Sequence, residues 1–159
     1  MAIERVKAYF AERDMAERVL EFDVSSATVA LAAQALHCEE CRIAKTLAFH
    51  GEDGVILIVA PGDVKIDNAK YKAHFGKKAK MLAYDEAEPL IGHGVGGVCP
   101  FAVNEGVAVY LDASLRRFET VFPACGSANS AIELTIPELE QYASHFAGWI
   151  DVCKLVETK

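Results

Sequence analysis

Two apolar segments constrain the fold of this chain most: Arg42-Ile43-Ala44-Lys45-Thr46-Leu47-Ala48-Phe49 and Val55-Ile56-Leu57-Ile58-Val59-Ala60. Between them lies Gly51-Glu52-Asp53-Gly54, a run of turn-forming residues. The pattern predicts a β-hairpin over 42–49 and 54–60. Side chains alternate faces along a strand. In the first segment Ile43, Leu47 and Phe49 share one face with Lys45, while Ala44, Thr46 and Ala48 occupy the other. Neither face reads as solvent-facing, so other elements must cover the hairpin. The second segment, at six residues, is the longest apolar run and falls far short of the roughly 20 residues of a membrane span.

The flanking patterns supply those elements. Residues 2–17 read as a helix with Val6, Tyr9, Phe10 and Met15 near one side, and Val19-Leu20-Glu21-Phe22 reads as extended. Ser25, Ser26 or Thr28 caps a second helix running to about His37. Asp67 caps a lysine-bearing helix that ends near Gly76. A short strand at 79–83 and a helix at 85–91 follow. Strands are expected at Val107–Leu111, Glu119–Pro123 and Ala131–Leu134, and then a helix opens at Pro137. Trp149 and the tail after it are assigned to packing or fraying. Short strands and hairpins mixed among helices define an α+β or mixed α/β chain, with one sheet or partial barrel rather than regular βαβ repetition. With 159 residues, 52% of them hydrophobic, one domain over 1–159 with a real core is expected.

Three features carry candidate chemistry. The first is Gly94-Val95-Gly96-Gly97-Val98-Cys99-Pro100-Phe101, three glycines within four residues followed by a proline. Such a loop either turns the chain tightly or aims consecutive backbone N–H groups at an anion or oxyanion. The second is Lys45. A lysine on an apolar strand either runs its stem to water or lines a polar cavity, where its ammonium suits a phosphate or carbonyl oxygen. The third is Gly126-Ser127-Ala128-Asn129-Ser130, turn-like and rich in short hydrogen-bonding side chains; it either supplies a site or simply turns the chain.

Charge is unevenly spread. The net charge of −7 argues against a general nucleic-acid binder, but residues 65–80 hold Lys65, Lys70, Lys72, Lys77, Lys78 and Lys80 against Asp67 alone. That window is either a solvated helix face or a local patch for a phosphate-rich partner. The N-terminal residues lack the apolar segment of a signal peptide, and five cysteines are an odd number for a disulfide framework, so a soluble, cytoplasmic chain with reduced thiols is expected.

Ser25-Ser26-Ala27-Thr28-Val29, Arg42-Ile43-Ala44-Lys45-Thr46-Leu47 and Gly96-Gly97-Val98-Cys99-Pro100-Phe101, in this order, resemble the YbaK/EbsC family, relatives of the editing domain inserted in bacterial prolyl-tRNA synthetases. Val59-Ala60-Pro61-Gly62-Asp63 and Ile132-Glu133-Leu134-Thr135 look like further landmarks, and the likeness spans roughly residues 20–145. The resemblance implies a barrel-like mixed sheet. It also implies a free-standing hydrolase that removes alanine or cysteine misattached to proline tRNA. Its partners would be the acceptor end of aminoacyl-tRNA and, beside it, prolyl-tRNA synthetase. The chain would act as a monomer or weak oligomer, away from membranes, without cofactor or metal. Lys45 matches the family's lysine and Gly96 through Pro100 its glycine-to-proline loop. Ala131 stands where some members carry an acid.

The mechanism this implies is substrate-assisted, with the free ribose hydroxyl of the terminal adenosine placing or activating water. Lys45 would grip the phosphate or ribose end, and the backbone of Gly96, Gly97, Val98 and Cys99 would hold the aminoacyl carbonyl. Thr46, Pro100, Phe101, Ser127 and Asn129 would border the substrate, and Lys70, Lys72, Lys77, Lys78 and Lys80 would meet the acceptor stem, with salt-sensitive affinity. Two rival readings are a thiol hydrolase or transferase built on Cys99 with His93 as base, and a non-catalytic module for an aminoacyl or nucleotide end. Cys38-Glu39-Glu40-Cys41 matches C-x-x-C but follows a helix instead of opening one, which argues against a thioredoxin-like role.

Overall fold

The computed structural model describes residues 2–156. The expected hairpin forms: β2 (Ile43–His50) and β3 (Val55–Pro61) pair antiparallel from Ala44↔Pro61 to His50↔Val55. Gly51 N–H closes the turn on the Gly54 carbonyl at 2.7 Å, and Gly54 takes φ +134°, which favours glycine. β3 is buried along its whole length. Its odd residues Val55, Leu57 and Val59 join one core cluster with Val6, Phe10 and Phe101, and its even residues Ile56, Ile58 and Ala60 join a second with Phe49, Tyr71 and Val152. Burying each large aliphatic side chain contributes roughly 1.5–3 kcal/mol, which makes this strand the spine of the molecule.

The hairpin sits inside a curled, mixed, six-stranded half-barrel of order β8-β6-β2-β3-β5-β9. β5 (Ala108–Asp112) lies parallel to β3, and β9 (Phe146–Ile150) parallel to β5. On the other side β6 (Thr120–Pro123) runs parallel to β2, and β8 (Leu134–Thr135) antiparallel to β6. Two ribbons flank this sheet, β1 (Val19–Glu21) with β7 (Ser130–Ile132) and β4 (Val64–Ile66) with β10 (Cys153–Leu155).

The helices are α1 (Ala2–Ala11), α2 (Val29–Leu36), α3 (Asn68–Phe75), α4 (Ala87–Ile91) and α5 (Ile136–Tyr142). Thr28 is the capping residue of α2, its hydroxyl accepting from Leu31 N–H at 3.2 Å. Asp67 caps α3 by accepting from Ala69 and Lys70 N–H, and Gly76 ends it in the left-handed region as expected. Among the described residues no helix is long and apolar enough to cross a membrane.

Several expectations need correction. α1 stops at Ala11 rather than reaching 17, because Asp14 turns left-handed (φ 58°) and Met15 N–H bonds back to the Phe10 carbonyl. The strand expected at 79–83 reduces to a single bridge, Phe49↔Met81. The strand expected at 131–134 splits into β7 and β8, which pair with different neighbours. Of the packing or fraying expected for Trp149 and the residues after it, packing holds as far as the described residues go: Trp149 lies in β9 against the core and Val152 is fully buried, while residues 157–159 lie outside the described residues.

Candidate functional site

A cavity of about 230 Å³ opens where the half-barrel is incomplete. Its wall includes Ala44 through Ala48 of β2, Thr28, Val29 and Ala32 at the start of α2, the 81–83 segment, and Val95, Gly96 and Val98 of the glycine loop. The lining is mainly alanine and aliphatic, with Ser26, Thr28, Thr46 and Ser130 as its hydroxyl-bearing residues. Small side chains set its width, so Ala32, Ala44, Ala83, Ala87 and Ala124 act as the size limit. Val95 and Met81 stand at 54% and 60% exposure, as residues of a rim do.

The glycine loop meets its neighbours at backbone distance. Gly96 takes φ +95°, and a Cβ there would lie 3.4 Å from the Ala27 Cβ. At Gly97 a Cβ would lie 2.6 Å from both Gly126 C and Ser127 N, closer than real side-chain contacts allow. The 126–127 turn therefore rests directly on Gly97. Gly97 N–H donates to the Gly94 carbonyl at 3.1 Å and closes a turn.

Lys45 lies in the cavity wall, half-buried, and its ammonium donates to the backbone carbonyl of Val64, which lies outside that wall. Burial lowers its pKa, partly opposed by Cys153 and Asp63. The residue lines the cavity, its stem crosses apolar surface, and its charge ends on a main-chain oxygen rather than in water.

The remaining expected residues divide sharply. Thr46, Gly96 and Val98 line the cavity with Lys45, whereas Gly97, Cys99, Pro100, Phe101, Ser127 and Asn129 do not. Phe101 is fully buried with its ring 4.9 Å from that of Phe10. Ser127 bonds the side chains of Asn129 and Ser130, and Asn129 bonds the Phe22 carbonyl, so both hold the turn together. Ser26, named from the sequence as a capping candidate and within the first family motif but not as a site residue, lines the cavity; its hydroxyl is buried and has no partner among the described residues.

Cys99 is fully buried, and burial pushes its thiol up to about 12. His93 Nε2 lies 2.7 Å from the Phe101 carbonyl. A carbonyl oxygen only accepts, so Nε2 carries the proton and its contact with Cys99 Sγ at 3.5 Å offers no base. The pair lacks the chemistry of a nucleophile and its activator. Burial also raises the Cys38 and Cys41 thiols, the opposite of activation.

The lysines differ in their surroundings. Lys70 bonds Asp151 at 3.0 Å and the Cys153 carbonyl. Lys77 lines a separate hollow with Glu52, Asp53 and Tyr110. Lys72, Lys78 and Lys80 are exposed, and the Lys80 carbonyl accepts from His50 N–H beside the Met81 rim. Sequence reading passed over Lys154, which lies directly across from Lys65 in the β4–β10 ribbon.

The half-barrel sheet thus carries a small, mainly apolar cavity beside β2, flanked by the glycine loop and with Lys45 in its wall. Residues 23–142 match the model of the aminoacyl-tRNA editing domain, and the chain belongs to that family. It is similar to the uncharacterized protein YwhH of Bacillus subtilis (strain 168), 53% identical over 97% of this chain and 98% of that one. It is also 34% identical to the proline–tRNA ligase of Thermosipho africanus over 55% of this chain, which is 16% of the ligase. Among solved structures, a candidate trans-editing enzyme for prolyl tRNA synthetase superposes with a TM-score of 0.85 at 28% identity, covering 96% of this chain and 97% of that one.

Proposed function

We propose that the chain hydrolyses the ester between a small, wrongly attached amino acid and proline tRNA. The observation that carries this reading is the cavity: about 230 Å³, narrowed by alanines, with Lys45 in its wall and Gly96 at its edge. The side chain of the misattached amino acid enters the apolar part, where Ser26 hydroxyl is free to accept or donate a hydrogen bond. The terminal adenosine lies toward Lys45, whose ammonium leaves the Val64 carbonyl for a phosphate oxygen, and an anion beside it offsets the burial that lowers its pKa.

Water adds to the ester carbonyl, and the bond to the ribose oxygen breaks. The ribose oxygen leaves with one proton of the water, the other passes to solvent, and the amino acid leaves as its carboxylate. The neighbouring free ribose hydroxyl positions the water. The protein contributes geometry and hydrogen-bond donors, among them the main chain at Gly96 and Val98. Lys78 and Lys80, exposed beside the Met81 rim, meet the acceptor-stem backbone. A prolyl-tRNA synthetase working alongside in the cytoplasm supplies the mischarged tRNA.

A deacylation panel tests this. Proline tRNA charged with alanine, cysteine, serine or proline is incubated with the protein. The expected result is rapid release of one or more of the small non-proline amino acids and sparing of proline. Binding of all four without release would overturn the reading in favour of a non-catalytic module.

A further inference from the structure

The edge of β2 that faces the cavity is interrupted. Main-chain groups alternate sides along a strand, and those of the even-numbered residues point away from β3. At one end of the strand Ala44 pairs with Pro123 of β6. At the other, the Ala48 carbonyl accepts from Leu82 N–H at 3.1 Å and His50 N–H donates to the Lys80 carbonyl at 2.8 Å. Between these lies Thr46. It pairs with Val59 of β3 in register, but the β2–β6 ladder ends at Ala44, and among the described residues no hydrogen bond outside the ladders runs to its N–H or carbonyl, nor to the Ala48 N–H on the same side. Had the β6 pairing continued, Ala124 and Gly126 would have filled this place. Instead the chain turns away at Gly126 (φ +92°), and the 126–127 peptide rests on Gly97. The glycine loop thus backs the turn that leaves the gap.

We infer that this one-residue gap is the element that reads the aminoacyl group: Thr46 N–H donates to the ester carbonyl oxygen and Thr46 C=O accepts from the α-ammonium. The inference rests on the deacylase reading and assigns it a recognition element other than the loop. A free N–H and a free C=O from one residue, side by side on a strand edge, match the carbonyl and amino groups on either side of one α-carbon. The contact repeats the narrow pair of an antiparallel ladder, with the substrate in place of a strand residue. It is indifferent to the side chain, which lies to one side and is sorted by the cavity. As charge builds on the ester oxygen, the Thr46 N–H bond strengthens, as oxyanion donors require. Of the loop donors expected in that role, Gly96, Gly97, Val98 and Cys99, the Gly97 N–H is already held by the Gly94 carbonyl.

The test uses the full chain, nitrogen-labelled, and an adenosine whose ribose carries alanine through an amide in place of the ester, so that it binds without turnover. Hydrogen exchange is followed at each amide with and without the probe. The inference predicts at least tenfold slower exchange at Thr46 on binding. It also predicts that replacing Thr46 by its α-hydroxy acid, which deletes that N–H alone, lowers kcat/KM for alanyl proline tRNA about tenfold, and that a lactyl ester, lacking the ammonium, is hydrolysed correspondingly more slowly. If the probe shifts the Gly96 and Val98 amides while Thr46 exchange is unchanged, the inference is overturned and the deacylase reading stands. If the probe binds nowhere and the panel above shows no release, both fall.

Discussion

Single residues carry the discrimination between the competing chemistries. Cys99 is the nucleophilic atom nearest the glycine loop, yet it is fully buried, its thiol is pushed up to about 12, and its neighbouring imidazole nitrogen already donates to the Phe101 carbonyl. Cys99→Ala should keep deacylation within about threefold of wild type, and iodoacetamide should leave activity unchanged over the time of an assay. Loss of more than tenfold in a variant with wild-type circular dichroism would restore the thiol route. Lys45 was legible in the sequence as anomalous, because a charge on a strand with no solvent-facing side needs a partner. Its partner was not legible. Val64 lies nineteen residues on, and its carbonyl is a main-chain group that any residue would present. Ser26 escaped for the same kind of reason: an unpartnered hydroxyl is defined by its surroundings, and only the packed structure supplies those.

At the scale of elements, local signals read well and non-local ones did not. The β2–β3 hairpin, the Thr28 and Asp67 caps and the Gly76 stop are each written within a few residues, and each formed where expected. β4, β9 and β10 are held by partners far along the chain, β4 with β10 and β9 with β5, so no short window announces them. β9 also carries Gly148 at φ +141° beside a register shift at Val109/Tyr110, which breaks the alternation a strand would otherwise display. The glycine loop is the element that joins fold to site. Gly97→Ala would place a Cβ 2.6 Å from the Gly126–Ser127 peptide, and backbone cannot give way as a side-chain tip does. Overpacking of this kind costs about 1–3 kcal/mol. The expected outcome is a lower Tm together with loss of deacylation greater than that of an equally destabilised core variant such as Leu139→Ala. Equal losses would make Gly97 a packing residue with no bearing on the site.

Across the whole molecule, stability at low pH tests the packing of distant chain ends. Arg18, just past α1, reaches Glu138 at the start of α5, bonding both carboxylate oxygens at 2.8 and 3.1 Å. That guanidinium, and the Thr135 N–H and hydroxyl of the helix cap, hold the Glu138 carboxyl down to about 2. A carboxyl depressed in the folded state stabilises fully above its unfolded pKa and loses that contribution as pH falls through the folded value. The Glu138 contribution is therefore constant above about pH 5 and decays from there toward pH 2. Glu138→Gln should lower stability by about 1–2 kcal/mol at neutral pH and by much less near pH 2, as read from denaturant unfolding at both pH values. A pH-independent difference would contradict the assignment. The family's likeness was legible as an ordered set of short motifs, and residues of all three, among them Ser26, Lys45 and Gly96, line one cavity.

The most direct test of the account is a single-turnover measurement of alanine release from mischarged proline tRNA by the wild-type chain and by Lys45→Ala. Release far faster than spontaneous hydrolysis is expected with the wild type, and a loss of about a hundredfold in the variant at unchanged fold. Wild-type release no faster than the uncatalysed ester, or a Lys45→Ala variant as fast as wild type, would contradict it.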